Sequence, residues 1–81
     1  MTFSGGDVEI VEMIMGPEGA GLPVADLEVP DVLRVAAVYR GKRTLIPDDD
    51  FALAEGDMVV AAAHSGARKK IRRYLAVKED R

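Results

Sequence analysis

Residues 33–47, LRVAAVYRGKRTLIP, contain the pattern that decides the fold. The apolar run through position 40 predicts a strand, and glycine at 41 suits the first central position of a two-residue type II′ turn. Residues 43–46 form the returning strand, which Pro47 ends. The stretch therefore predicts an antiparallel hairpin, whose first strand is expected to carry three side chains on one face: Val35, Ala37 and Tyr39.

Toward the N-terminus, residues 8–15 (VEIVEMIM) predict a further strand between Gly-Gly-Asp and Gly-Pro-Glu-Gly. Both faces of this strand are partly apolar, as in a sheet that is covered on each side. Residues 16–21 form a turn, and residues 23–27 (PVADL) form a single helical turn with proline in its first positions. This helix ends before Pro30, because the residue before proline disfavours helical geometry.

Toward the C-terminus, residues 58–63 (MVVAAA) predict a central strand that is buried on both faces. Ser65 is the predicted cap of a helix that begins near Ala67. Apolar side chains at positions 71, 74 and 75 form one stripe of this helix, opposite a basic face. The order β-α-β-β-β-α indicates a small α+β domain with a mixed or antiparallel sheet of about four strands.

Composition restricts the class of protein. A chain of 81 residues holds one core, so residues 1–81 are expected to form a single domain. Without cysteine and with one histidine, neither a disulfide nor a structural metal site is expected. Association with a second copy, or attachment to a larger protein, is the remaining means of stabilisation. The formal net charge of −3 disfavours a nucleic-acid binder. The absence of a signal peptide or an apolar span predicts a cytoplasmic protein.

No motif in the chain predicts catalysis or a metal site. His64 is expected to lie at a strand end rather than beside a nucleophile. The carboxylates at 48–50 are consecutive, unlike those of a calcium loop, and are interpreted as a solvated turn. The run RKKIRR at 68–73 is either a solvated helix face or a contact for an acidic partner, lipid surface or nucleic acid; the solvated face is preferred. The chain is therefore predicted not to be an enzyme.

Several pieces follow the first strand in order: GLPVADL at 21–27, VYRG at 38–41, IP at 46–47 and LAEGDMVV at 53–60. Gly56 permits a tight reversal, and Asp57 can accept hydrogen bonds from backbone amides in that turn. Together these pieces, over about residues 8–75, resemble the C-terminal regulatory domain of bacterial and archaeal potassium-uptake regulators, the TrkA-C or RCK-C domain.

The resemblance implies a non-catalytic, dimerising module that senses a ligand for a potassium or other cation transport system. Its implied partners are a homodimeric copy and a membrane channel or transporter, or an attached Rossmann-type domain, at the inner face of the membrane. No permanent cofactor is implied; the implied ligand is a small regulator such as cyclic di-adenosine monophosphate. The short helix contains no arginine for a phosphate, and Arg34 is the substitute. The predicted ligand-binding residues are Leu22, Val24, Ala25, Leu27, Asp31, Arg34 and Pro47.

Two alternative functions stay open at this point. The first is a protein-interaction or assembly domain with no small ligand. The second is a small nucleic-acid-binding domain that uses the basic helix, although no aromatic residues are interleaved with its charges.

Overall fold

The computed structural model describes residues 7–75. Strand β1 spans Val8–Ile14, helix α1 Val24–Leu27, and strands β2, β3 and β4 span Leu33–Arg40, Arg43–Leu45 and Met58–His64. Helix α2 spans Ala67–Ile71, and two 3-10 turns lie at Pro17–Gly19 and Arg72–Tyr74. The predicted order β-α-β-β-β-α and the α+β class are confirmed.

The four strands form one sheet in the order β1-β4-β2-β3, and every neighbouring pair is antiparallel. The predicted hairpin is confirmed, since Arg40 is paired with Arg43 across the two turn residues. Strand β4 is central, as expected, and is bonded to β1 along its whole length. The last strand in sequence therefore joins the first strand to the hairpin.

One face of the sheet carries the hydrophobic core. On β4, Val59, Ala61 and Ala63 are at most 5% exposed. Side chains of α1 and α2 pack against them, among them Leu27 and Ile71. The core consists of Met13, Met15, Val24, Leu27, Leu33, Val38, Leu53, Val59, Ala61, Ala63, Ala67, Ile71 and Leu75.

The other face of the sheet has no cover among residues 7–75. Met58, Val60 and Ala62 of β4 are only partly buried, and Ile14 of β1 is 37% exposed. Residues 7–75 therefore do not provide the predicted cover on both sides of the sheet. The physical reason is that the described helices belong to the core on the first face, so the second face is left open.

A β-bulge changes the predicted alternation of β2. The pairing of β2 with β4 shifts between Val35 and Ala37, which places Val35 opposite Ala61 and Ala37 opposite Val60. Val35 thus lies on the core face, whereas Ala37 and Tyr39 lie on the open face. The expectation that these three side chains share one face is wrong, because the extra residue of a bulge reverses the alternation.

Helix α2 differs from the prediction in its cap and in its length, because it ends at Ile71 and leaves Tyr74 in the following 3-10 turn and Leu75 in extended backbone. Gly66, not Ser65, is the N-cap residue, with φ of 83° and no side-chain hydrogen bond. Glycine adopts this left-handed conformation without steric strain, so the chain can turn sharply after β4. A serine would be strained in the same conformation. Ile71 and Leu75 are buried and Tyr74 is half-buried. The basic residues Lys69, Lys70, Arg72 and Arg73 are exposed, as predicted.

The hairpin turn gives a direct test of this fold. Gly41 has φ of 61°, in the left-handed region, and no other atom would contact an added Cβ. We expect Gly41→Ala to lower the free energy of unfolding by about 1 kcal/mol through backbone strain alone. Lys42→Ala in the same turn should change it by less than about 0.5 kcal/mol. Urea denaturation measures both; equal effects would contradict the turn geometry.

Candidate functional site

A bidentate ion pair joins the end of β2 to the start of β4. Asp57 is 2% exposed, and it is the buried charged side chain among the described residues. Arg40 donates from Nε to Asp57 Oδ1 at 2.9 Å and from Nη2 to Oδ2 at 2.7 Å. The register that pairs Tyr39 with Met58 brings these two residues together, because each is the next residue toward the same end of the sheet.

The same two side chains hold the segment that precedes β4. Arg40 Nη2 also donates to the carbonyl oxygen of Ala52 at 3.0 Å, and its guanidinium lies 4.9 Å from the centre of the Phe51 ring. Asp57 Oδ2 accepts from the backbone N–H of Ala54 at 2.8 Å. The prediction that Asp57 bonds a turn amide is therefore confirmed. Sequence reasoning did not identify Arg40 as the partner of Asp57. The opposite charges of these two residues, at the ends of neighbouring antiparallel strands, would have indicated the pair.

The electrostatics of the pair favour the charged form of Asp57. Hydrogen bonding to the Arg40 guanidinium lowers the pKa of the Asp57 carboxyl below its usual value, while burial acts in the opposite direction. Hydrogen bonding to the Ala54 amide lowers it further. The carboxylate is thus fully occupied by structural partners and is not available as a general base.

Helix α1 is attached to the segment that this ion pair holds. Val24 and Ala25 donate backbone hydrogen bonds to the carbonyls of Phe51 and Asp49, both at 2.9 Å. The backbone N–H of Leu53 likewise donates to the carbonyl oxygen of Leu22 at 2.8 Å. The first helix, the loop before it and the connection after Pro47 therefore form one unit on the core face.

Five of the predicted ligand-binding residues lie in or next to this unit. Val24 and Leu27 are 2% and 0% exposed, so their side chains support the core from inside. Ala25 is exposed, while Leu22 and Pro47 are half-buried. The last three are therefore the accessible residues of this set, and we call them the α1 surface.

The remaining two predicted residues lie elsewhere. Arg34 alternates with the core residue Leu33 and therefore points to the open face of the sheet, opposite the side on which α1 packs. Asp31 is exposed, has φ of 64°, and lines a shallow groove with Arg34 and His64. The volume of this groove is about 270 Å³. A single chain therefore does not bring all seven predicted residues together.

Residues 7–75 contain no group of three histidine, aspartate or glutamate side chains arranged to hold a metal ion. His64 lies at the end of β4, as expected, with Nδ1 3.0 Å from the carbonyl oxygen of Asp7. Within the same part of the chain, no helix is long and apolar enough to cross a membrane.

Known proteins match this chain over most of its length. The family model of the TrkA-C domain matches residues 8–76. The Trk system potassium uptake protein TrkA homolog of Archaeoglobus fulgidus is 39% identical over 61 residues, which cover 73% of this chain and 14% of that protein. The Trk system potassium uptake protein TrkA homolog 1 of Methanosarcina mazei is 32% identical over 76 residues, which cover 91% of this chain and 17% of that protein. The chain thus spans about a sixth of the length of these curated relatives.

The ion pair predicts unequal effects for its two partners. Arg40→Met should lower the free energy of unfolding by about 3 kcal/mol, because it leaves a buried carboxylate without its counter-ion. Asp57→Asn should cost about 1–2 kcal/mol, because Arg40 can turn to water and the asparagine oxygen can still accept from Ala54. Urea denaturation at neutral pH measures both. Equal losses would contradict the burial of Asp57.

The same pair predicts a pH dependence. Since the folded-state pKa of Asp57 lies below its unfolded value near 3.9, the stabilisation is complete above about pH 5 and is lost as the pH falls through the folded value. Asp57→Asn should therefore lose stability less steeply in acid than the unmodified chain. Glu55→Gln, which alters an exposed carboxylate in the same turn, serves as the control. Superimposable acid profiles for Asp57→Asn and the unmodified chain would contradict this prediction.

Proposed function

Because this chain belongs to the TrkA-C domain family, as its sequence pattern predicted, we propose that it is a non-catalytic regulatory domain of a potassium or other cation transport system. In this proposal the domain forms dimers and senses a small ligand. The observation that carries it is the family match over residues 8–76, together with relatives whose names assign them to potassium uptake.

The length relation supports a role within a larger assembly. The matched relatives are about six times as long as this chain. We propose that the domain acts together with a membrane cation channel or transporter, or with an attached Rossmann-type regulatory domain, on the cytoplasmic side of the membrane. A domain of this size buries only about 60% of its unfolded surface, so association would also stabilise it.

The α1 surface is the proposed ligand contact. It combines exposed Ala25 with half-buried Leu22 and Pro47, and it rests on a backbone network fixed by the Arg40–Asp57 pair. Apolar side chains on a rigid support suit the face of a nucleobase. A cyclic dinucleotide is the proposed ligand class, with Asp31 and Arg34 contributing from another part of a dimer, since they lie away from the α1 surface.

A second candidate function is that of an assembly domain without a small ligand. It is favoured by the open sheet face, which is a broad apolar surface and not an enclosed cavity. In that case a protein partner, and not a nucleotide, would cover the exposed apolar side chains.

Ligand binding is tested by thermal unfolding with cyclic di-adenosine monophosphate. At a hundredfold excess over Kd, a ligand that binds only the folded chain adds about 2.7 kcal/mol of stability. For a domain of this size, that should raise Tm by about 15 °C. Ala25→Glu places a carboxylate on the α1 surface and should weaken binding about tenfold by repelling phosphate, which removes about half of this gain.

Lys70→Ala is the matched control, since it changes the net charge by the same amount on an exposed position of α2. It should retain the full ligand-induced shift, measured against its own Tm without ligand. If the unmodified chain gains nothing from cyclic dinucleotides, other nucleotides or potassium ions, the ligand-sensing part of the proposal fails and the assembly function is favoured. An equal loss of the shift in both variants would place the ligand away from the α1 surface.

A further inference from the structure

Helix α2 and the 3-10 turn that follows it present a basic surface to solvent. On their inner side, Ala67, Ile71 and Leu75 are at most 3% exposed and belong to the hydrophobic core. Because these side chains are packed in the core, the outer side of the same segment has a fixed orientation on the domain. Four side chains on the outer side are exposed and basic, and we call them the basic face: Lys69, Lys70, Arg72 and Arg73.

The basic face is not neutralised by the described part of the chain. Among residues 7–75, no carboxylate forms an ion pair with any of its four side chains. Arg73 donates to the Tyr74 hydroxyl at 3.0 Å and lies 5.0 Å from the centre of that ring, and these contacts position its charge without cancelling it. Glu18, in the neighbouring 3-10 turn, acts on Arg73 only at longer range. The charge of this face is therefore available to a partner.

Charge is distributed unevenly along the chain. Residues 68–73 hold five of its 11 basic residues and none of its 14 acidic residues. The net charge of −3 therefore combines +5 in this run with −8 in the rest of the chain. The domain measures 33 × 29 × 23 Å, whereas salt at physiological ionic strength screens charges beyond about 8 Å. Carboxylates on the far side of the domain are thus screened from a negatively charged surface that touches α2.

We propose that the basic face docks on an anionic lipid surface and thereby sets the orientation of the domain against the membrane. This inference rests on the proposed position of the domain beside a membrane channel or transporter, and it adds a role for α2 that ligand sensing does not use. The phosphate groups of anionic lipids supply the complementary charge, and the ammonium and guanidinium groups of the face bind them without entering the hydrocarbon layer.

Three observations favour lipid over other anionic partners. The basic face is the convex outer side of a helix, which fits an extended charged surface better than a single enclosed phosphate. A specific protein interface has an apolar centre, whereas the apolar residues of α2 are used in the core. A nucleic acid is disfavoured because Tyr74 is half-buried beside Arg73 and offers no free ring for base stacking, and because the chain as a whole is negatively charged.

The expected affinity is modest. Each basic side chain near an anionic membrane strengthens binding about fivefold, so four of them give half-maximal binding near about 1 mM lipid. Such an affinity is too low to keep a free domain on a membrane. It is sufficient to orient a domain that is already held beside the membrane by a transporter, because the local lipid concentration is then high.

The test is co-sedimentation of the 81-residue chain with phosphatidylcholine vesicles that contain about 30% phosphatidylglycerol, at up to about 5 mM lipid and low salt. Binding should be at least about tenfold stronger than to pure phosphatidylcholine, and it should weaken at least about fivefold between about 50 and 200 mM salt. The variant Lys69→Gln/Arg72→Gln removes two of the four charges and should weaken binding about 25-fold.

Lys42→Gln/Arg43→Gln is the matched control, since it changes the net charge by the same amount at two exposed positions of the hairpin. The hairpin strand β3 lies at the opposite edge of the sheet from β1, whereas the end of the basic segment adjoins β1 through the bridge of Leu75 to Met15. This control should bind the vesicles within about twofold of the unmodified chain, because its charges are beyond the screening length.

Far-UV circular dichroism verifies folding, and Lys69→Gln/Lys70→Gln replaces the first variant if that one does not fold. No preference for phosphatidylglycerol, or equal weakening by the α2 and hairpin variants, would overturn the proposal. Tighter binding to a short DNA duplex than to the vesicles, lost in the same α2 variant, would assign the basic face to nucleic acid and also overturn it. Either failure leaves the proposed function standing, because the cyclic dinucleotide test is carried out without vesicles and depends on the α1 surface.

Discussion

The ion pair between Arg40 and Asp57 connects the two parts of the chain that local sequence alone does not bring together. Arg40 ends the first strand of the hairpin, and Asp57 precedes the central strand. Arg40 bonds the Ala52 carbonyl and Asp57 bonds the Ala54 amide, which fixes the intervening segment. That segment holds α1 through backbone hydrogen bonds. Only the Asp57 side of this pair is buried. The pair disfavours arrangements of the loop that keep Asp57 buried away from Arg40, since they would leave a buried charge unpaired.

The central strand imposes the second constraint. Strand β4 pairs with both β1 and β2, so the sheet is complete only when this last of the four strands has joined it. Its alanines at 61 and 63 are buried in the same core cluster as Ala67 and Ile71 of α2. The same strand presents Met58 and Val60 on its other face, so one element serves both the core and the open face.

Local signals were sufficient for most of the architecture. Glycine at 41 and proline at 47 delimit the hairpin, and the apolar runs give the other strands, because turn chemistry and side-chain periodicity act over a few residues. The bulge near Ala36 and the glycine cap of α2 were not predicted. Both depend on how a strand meets elements that are distant in sequence. The proposed site shows the same division: the motif around 21–27 was recognisable, but the position of Arg34 on the other side of the sheet was not.

The sequence by itself determined the element order, the hairpin, the family and the absence of the usual catalytic motifs, because each of these is encoded in short patterns. Only the tertiary structure decided which carboxylate is buried, which arginine pairs with it, and which apolar residues stay exposed. Those outcomes depend on strand order and register, and a one-residue shift in register exchanges the two faces of a strand. The same apolar pattern is therefore compatible with a sheet that is covered on both faces or with one whose second face is exposed.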